Sequence, residues 1–240
     1  MKIKIVLIVF LCFLFAFCAS SQTKIDKLKE ENPQYQYNRG SSYLNVGQLD
    51  LAINHLSANA LGLAYFIKGD HEESEKFYQR CLAINPTFSE AHNNLGNLYQ
   101  EMGLLEKAEE EYLKATMDAQ YSSRELPYYN LGRLYFSQNK IEDALFQVRN
   151  SLEIEENFLL ALNLEGQIYV KMNRLENAIE SFEKARKLRP DDIDVNFNLA
   201  ETYFKTGRLK EAKDLFGSIY SKTADAEMKK KIENYLKQIK

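Results

Sequence analysis

A period near 34 residues runs through most of the chain and constrains its fold more than any other feature. Gly62, Gly96, Gly132, Gly166 and Ala200 follow one another at spacings of 34, 36, 34 and 34. Three residues after each stands a tyrosine: Tyr65, Tyr99, Tyr135, Tyr169 and Tyr203. Seven after each stands Gly or Asn: Gly69, Gly103, Asn139, Asn173 and Gly207. Twelve after comes a small residue (Ser74, Ala108, Ala144, Ala178, Ala212) and sixteen after a large one (Tyr78, Tyr112, Val148, Phe182, Phe216). Such agreement at one period marks a single supersecondary unit copied along the chain, each copy burying its apolar face against the next.

The residue types say what that unit is. Gly and Asn tolerate the left-handed backbone that ends a helix, so the seventh position is a turn between two helices. Acidic residues after the turn, as in "GDHEES" and "NKIEDA", suit the start of the second helix. A Gly or Ala on the first helix lets the second approach closely. The small residue of the second helix is expected to meet it, with the Tyr filling the space beside the contact. Pro86 and Pro190 mark the exits of two units, where a helix cannot continue. With only 4 Pro, 10 Gly and no strand-like alternation, the expectation is an all-α chain.

This pattern resembles the tetratricopeptide repeat. The stretch "EAHNNLGNLYQEMGLLEKAEEEYLKA", Glu90 to Ala115, carries Leu95, Gly96, Tyr99, Gly103, Ala108, Tyr112 and Ala115 in the family's register, with His92 at its Trp position. The resemblance covers about residues 34 to 224. It implies a right-handed superhelical solenoid of helix–turn–helix units: five full units, an abbreviated first one and a C-terminal capping helix. The abbreviated unit has Gly40, Tyr43, Gly47, Ala52 and Leu56 in register, but Gly62 follows only 22 residues after Gly40. Leu49 to Lys68 is therefore expected to be one long helix serving two units. Met228, Ile232, Leu236 and Ile239 recur at helical spacing, which places the cap over Asp225 to Gln238, within a final segment 225–240. Its run Lys229 to Lys231 reads as a solvated face.

The first residues stand apart. Lys2 and Lys4 precede an unbroken apolar stretch, Ile5 to Phe17, and small residues follow. This is the layout of an export signal, and it is shorter than the roughly 20 residues that span a bilayer. An uncut N-terminal anchor is the alternative. The signal is expected over 1–17, with Cys18 as a lipidated first mature residue and 18–33 as a polar tether. In a lipoprotein signal Ala16 fits and Phe17, immediately before Cys18, departs from the pattern. Cleavage after Ser20 satisfies the small-x-small rule for ordinary processing. Cys12, behind Phe10 and Leu11, fits lipidation less well. Cys81 is then the one thiol of the repeats, expected in the core, and no disulfide framework arises.

No catalytic constellation is visible, so the chain reads as a non-enzyme with no cofactor and no metal. His55, His71 and His92 form no paired metal-binding motif, and no Gly-rich phosphate loop occurs. The acidic run Glu106 to Glu111 is interrupted by Lys107 and reads as a solvated helix face. A formal charge of −3 excludes the basic stripe that nucleic acid requires. What remains is the inner surface of the solenoid, lined by the first helix of each unit. The family's arrangement places there Leu63, Phe66 and Ile67, then Asn93, Asn97 and Gln100. Tyr129, Asn130, Arg133 and Phe136 follow, then Asn163, Gln167 and Val170, then Phe197, Glu201 and Phe204. Aromatic anchors alternating with amides suit an extended or helical peptide; the bland reading is that Phe66, Phe136 and Phe204 pack against neighbouring repeats. The carboxylate clamp of chaperone-binding members is incomplete, because Asn93, Leu160 and Leu164 occupy its basic positions beside Asn97 and Asn130.

A narrower resemblance concerns the join "YSSRELPYYNLGRLYF", Tyr121 to Phe136, with two extra residues, and the opening "YNRGSSYLNVGQLDLAINHL". Both are similar to the PilF/PilW-type pilotin lipoproteins of type IV pili. That resemblance implies secretin subunits as partners and an outer-membrane lipoprotein facing the periplasm; Ala19 after Cys18 is compatible with such sorting. The competing expectations are a general cell-envelope scaffold for peptidoglycan enzymes or secretion components, and a regulatory subunit of an enzyme.

Overall fold

The computed structural model describes residues 49–119 and 121–239, with side chains from Asn54 onward. The abbreviated first unit, the tether, the signal and Cys18 lie outside the described residues, apart from the shared helix that begins at Leu49. Every regular element among the described residues is an α-helix. Two compact units divide the chain, the first ending at Ser123 and the second beginning at Arg124. The boundary falls in the join that carries two extra residues.

Among the described residues the first unit holds two helix pairs: α1 (Leu49–Lys68) with α2 (His71–Ile84), and α3 (Ser89–Glu101) with α4 (Leu105–Thr116). As expected from the sequence, α1 is a single uninterrupted helix of 20 residues. The second unit holds three pairs and one more helix. The pairs are α5 (Glu125–Ser137) with α6 (Ile141–Ile154), α7 (Leu159–Lys171) with α8 (Leu175–Leu188), and α9 (Ile193–Lys205) with α10 (Leu209–Lys222). The last helix, α11 (Ala226–Gln238), packs on α10. Asp225 starts it by accepting from the backbone N–H groups of Glu227 and Met228. Ile232 is its buried residue, and Ile239, just past its end, is buried too. Its lysine run faces water: Lys231 pairs with Glu227 one turn away and Lys229 lies over the Tyr220 ring.

The turns confirm the register. Gly69, Gly103, Asn139, Asn173 and Gly207 have φ of 80°, 75°, 59°, 57° and 78°. In every turn the next residue's N–H reaches back to the carbonyl of the register Tyr, from Asp70 to Tyr65 through Arg208 to Tyr203, at 2.8–2.9 Å. These bonds satisfy carbonyls that the helix end would otherwise leave open.

The close contact within each pair differs from the sequence expectation. It is the large residue of the second helix, sixteen positions on, that rests on the glycine. A Cβ at Gly62 would lie 2.5 Å from the Tyr78 ring, at Gly96 2.6 Å from the Tyr112 ring, and at Gly166 2.4 Å from the Phe182 ring. At Gly132 the neighbour is Val148 Cγ2, at 2.6 Å. The small residues at the twelfth position sit one turn earlier on the same helix face and are also fully buried. Ser74, the polar one, donates its hydroxyl to the Gly62 carbonyl at 2.8 Å.

Neighbouring pairs are joined by packing and by polar links. In the first unit Ala58, Cys81, Phe88 and Ala91 form one cluster, with Leu56 and Leu82 against it. Cys81 is a buried free thiol whose pKa burial pushes up, so it is core rather than a nucleophile. In the second unit Leu162, Ala185 and Val195 cluster with Leu152 and Leu159. The register Tyr also links pairs. Tyr99 donates to Glu75, 2.8 Å away on α2, and Tyr203 donates to Glu183 on α8. At Tyr169 the sense is reversed: Arg149 of α6 donates to its hydroxyl. First helices are tied by amides, Asn94 to Asn59 at 3.1 Å and Asn198 to Asn163 at 3.0 Å.

Candidate protein-binding faces

In the first unit the expected positions lie on α1 and α3, which pack side by side. Leu63 and Phe66 are half-buried, and Ile67 is 74% exposed. The Phe66 ring stacks on His71, whose Nε2 is 3.2 Å from Glu101 Oε1 on the end of α3. Asn93 is buried at the helix contact, whereas Asn97 and Gln100 are half-exposed. Both of these amides meet one hydroxyl, that of Tyr112, at 2.8 and 2.9 Å. A phenol has one hydrogen, so one amide accepts it and the other turns its NH₂ toward the phenol oxygen. Tyr112 therefore does two things: its ring fills the hollow at Gly96 and its hydroxyl orients two surface amides. The sequence register marks Tyr112 as a packing residue and gives no sign of the second role.

In the second unit Tyr129, Arg133 and Phe136 share one face of α5 through their i, i+4, i+7 spacing. Tyr129 is half-buried, with its ring edge-on to Phe158 at 5.4 Å between centroids. The exposed Arg133 guanidinium lies 6.0 Å from the same ring. Burial pushes the Tyr129 hydroxyl pKa up, against the opposing effect of Arg133, so the phenol is neutral and able to donate. Asn130 is buried beneath this face, and Phe136 is half-exposed on it. On α7, beside α5, Gln167 and Val170 are half-exposed, and Asn163 accepts the amide bond from Asn198.

The third group is engaged by the chain's own last helix. Tyr235 of α11 stacks on Phe216 at 4.8 Å and meets Phe197 and Phe204 edge-on at 6.4 and 5.2 Å. Its hydroxyl donates to Glu201 at 2.7 Å. Burial, then Glu201, raise the Tyr235 pKa to about 12. Phe197 and Phe204 thus serve the packing of α11. Of the expected positions in this unit, Arg133 is exposed, and Tyr129, Phe136 and Gln167 are half-exposed. Among the described residues no group of three or more His, Cys, Asp or Glu side chains could hold a metal ion. No described helix is long and apolar enough to cross a membrane.

Comparison with known proteins places this geometry. A family model described as TPR repeat matches residues 62–103 and 166–207, and one described as tetratricopeptide repeat matches 127–158. Among curated relatives, the type IV pilus assembly protein PilF of Pseudomonas aeruginosa is 28% identical over 148 residues, covering 60% of this chain and 58% of that protein. A CTR9 homolog of Arabidopsis thaliana is 28% identical over 148 residues, covering 60% of this chain and 14% of that protein. The human O-mannosyl-transferase TMTC3 is 25% identical over 187 residues, covering 72% of this chain but only 20% of its own length. The chain thus spans a fifth or less of the CTR9 homolog and TMTC3, and under two thirds of PilF. Among solved structures, that of Pseudomonas aeruginosa PilF has a TM-score of 0.68 at 20% identity, covering 79% of this chain and 92% of its own. A MamA structure has 0.59 at 24% identity, covering 73% and 98%. These likenesses agree in fold with the helix pairs and the left-handed turns described above, and the chain carries tetratricopeptide repeats over residues 62–103, 127–158 and 166–207.

Proposed function

We propose that this chain is a non-catalytic, exported repeat protein that binds protein partners on the first-helix faces of its units and assists assembly of a type IV pilus secretin. The observation that carries the reading is the likeness to PilF in both sequence and fold, which extends over most of the repeat region. The face of Tyr129, Arg133 and Phe136 suits it chemically: an aromatic anchor, a cation and a second ring in one line can hold a peptide segment, while Gln167 offers an amide to its backbone. The proposal includes attachment to the outer membrane through lipid on Cys18, with residues 18–33 as the tether. The basic start and apolar run before Cys18 support that part of it.

The test is capture from intact cells. The protein carries a C-terminal tag, cells are cross-linked, and the co-purifying proteins are identified by mass spectrometry. Secretin subunits, lost when Cys18→Ser removes the attachment point, are the expected result. Recovery of cell-wall enzymes or other secretion components without any secretin would overturn the pilus reading and leave a general envelope scaffold.

A further inference from the structure

One position in the second unit breaks the repeat. The residue just before the register Gly or Ala is leucine in four pairs (Leu61, Leu95, Leu131, Leu199) and Glu165 in the other. Leu95, Leu131 and Leu199 are buried. Glu165 stands at the same place on α7 with its side chain only 13% exposed. It lines a cleft of about 410 Å³ bounded by α6, α7 and α8, at the small end of the sizes that ligand pockets occupy. Leu152 and Leu162 are the apolar walls, and the exposed Glu153 and Glu156 line it too. Glu165 Oε2 accepts from the Ser181 hydroxyl at 2.7 Å. Arg149 Nε is 3.8 Å from Oε1, longer than a hydrogen bond, while the same guanidinium donates to the Tyr169 hydroxyl. Two residues from Gln167, Glu165 points about 200° away from it around the helix, so the cleft lies off the first-helix face.

We propose that this cleft takes an arginine side chain of a protein partner, with Glu165 as its receptor. A carboxylate placed where packing calls for leucine costs desolvation energy unless a cation offsets it. A copy that departs from a pattern the fold otherwise enforces marks a site rather than a packing need. The chain's own cations meet that need only in part. Arg149 is held off at 3.8 Å, and Lys184 is engaged by Glu180 at 2.8 Å. The Lys184 pKa is raised, first by that bond and further by the charges of Glu165 and Glu156 against a small opposing effect of burial, so the field at the cleft is negative. The lining carries three carboxylates against two cations, and these carboxylates do not converge as a metal site would. An arginine matches both parts of the cleft: its methylene stem can lie on Leu152 and Leu162 while its planar fork meets the Glu165 carboxylate. The site is separate from the first-helix faces, and its fate does not depend on the pilus reading.

The test is a titration of the full chain followed through the methyl signals of Leu152 and Leu162. The probe is N-acetyl-arginine amide, and the control is the citrulline counterpart, similar in shape and uncharged. Saturable shifts with the arginine probe and none with citrulline are expected. Glu165→Gln and Glu165→Leu should each weaken binding by about tenfold or more, through loss of one charge-assisted pair. Glu165→Leu restores the residue of the other four pairs, so its helix content and thermal midpoint should match or exceed those of wild type, which separates lost binding from lost fold. Glu165→Gln keeps the shape of the side chain and an acceptor for Ser181, and serves the same purpose. No shifts with the arginine probe, equal shifts with both probes, undiminished binding in Glu165→Leu, or shifts with inorganic phosphate in place of arginine would overturn the proposal.

Discussion

Gly166→Ala adds one methyl group inside the α7–α8 pair, and its cost follows from geometry. The new Cβ would stand 2.4 Å from Phe182 Cε1 and 2.6 Å from Cδ1 and Cζ. Phe182 is fully buried, so the ring has no space to retreat into. Overpacking of this kind costs about 1–3 kcal/mol. Alanine returns roughly 1 kcal/mol of helix propensity relative to glycine. The net expectation is a loss of about 1 kcal/mol, where an ordinary mid-helix glycine would show a gain of the same size. The chain has no Trp, so helix content in a urea titration is the suitable signal. The decisive control is the double-mutant cycle with Phe182→Ala. With the ring gone, Gly166→Ala should become stabilising by about 1 kcal/mol, giving a coupling of about 1–3 kcal/mol. If Gly166→Ala stabilises the wild-type chain, or changes stability equally in both backgrounds, the ring-on-glycine contact does not determine how the pair packs.

Three further outcomes follow from the same structure. Asn173 has φ of 57°, so Asn173→Gly should stabilise slightly and Asn173→Val should destabilise by about 1–2 kcal/mol in the same titration. Glu111 is held below the usual carboxylate range despite its burial, with His92 the first of the groups that lower it. Its contribution is therefore present above the value for an unfolded Glu, about 4.3, and lost as pH falls through the lower folded value; thermal midpoints across the acid range should show this loss in wild type and not in Glu111→Gln. Tyr235→Ala should uncover Phe197, Phe204 and Phe216, read as binding of a hydrophobic dye that wild type lacks, while Leu113→Ala, exposed on α4, should not.

Much of this fold was legible because the repeat carries its own instructions. The seventh position requires a left-handed backbone, and all five residues there adopt it. The twenty-residue α1 could be read from two registers overlapping at Ala52, Leu56 and Gly62 with no Pro between them. The contact on the glycines was misplaced because periodicity alone gives a face and not a depth. Positions twelve and sixteen lie on the same face of the second helix, and only coordinates show that the larger side chain reaches across. The face expected for binding was legible in part. Register puts Phe197 and Phe204 in line with the other first-helix positions, but α11 stacks on them as the first helix of another pair would. A signal for this existed: Tyr235 lies one period, 34 residues, after Glu201, the residue it bonds. The roles of Tyr112 and of the His92–Glu111 pair left no trace in the spacing, since each depends on which side-chain ends converge.

Site-specific photo-cross-linking tests the account's central claim most directly. A photoreactive residue replaces Arg133, which is exposed on α5, or Glu180, which is exposed on the second helix of the next pair. Each variant is illuminated in intact cells. The account predicts covalent adducts with a protein partner from position 133 and none from position 180. Adducts from 180 alone, or the same adducts from both positions, would contradict binding through the first-helix faces.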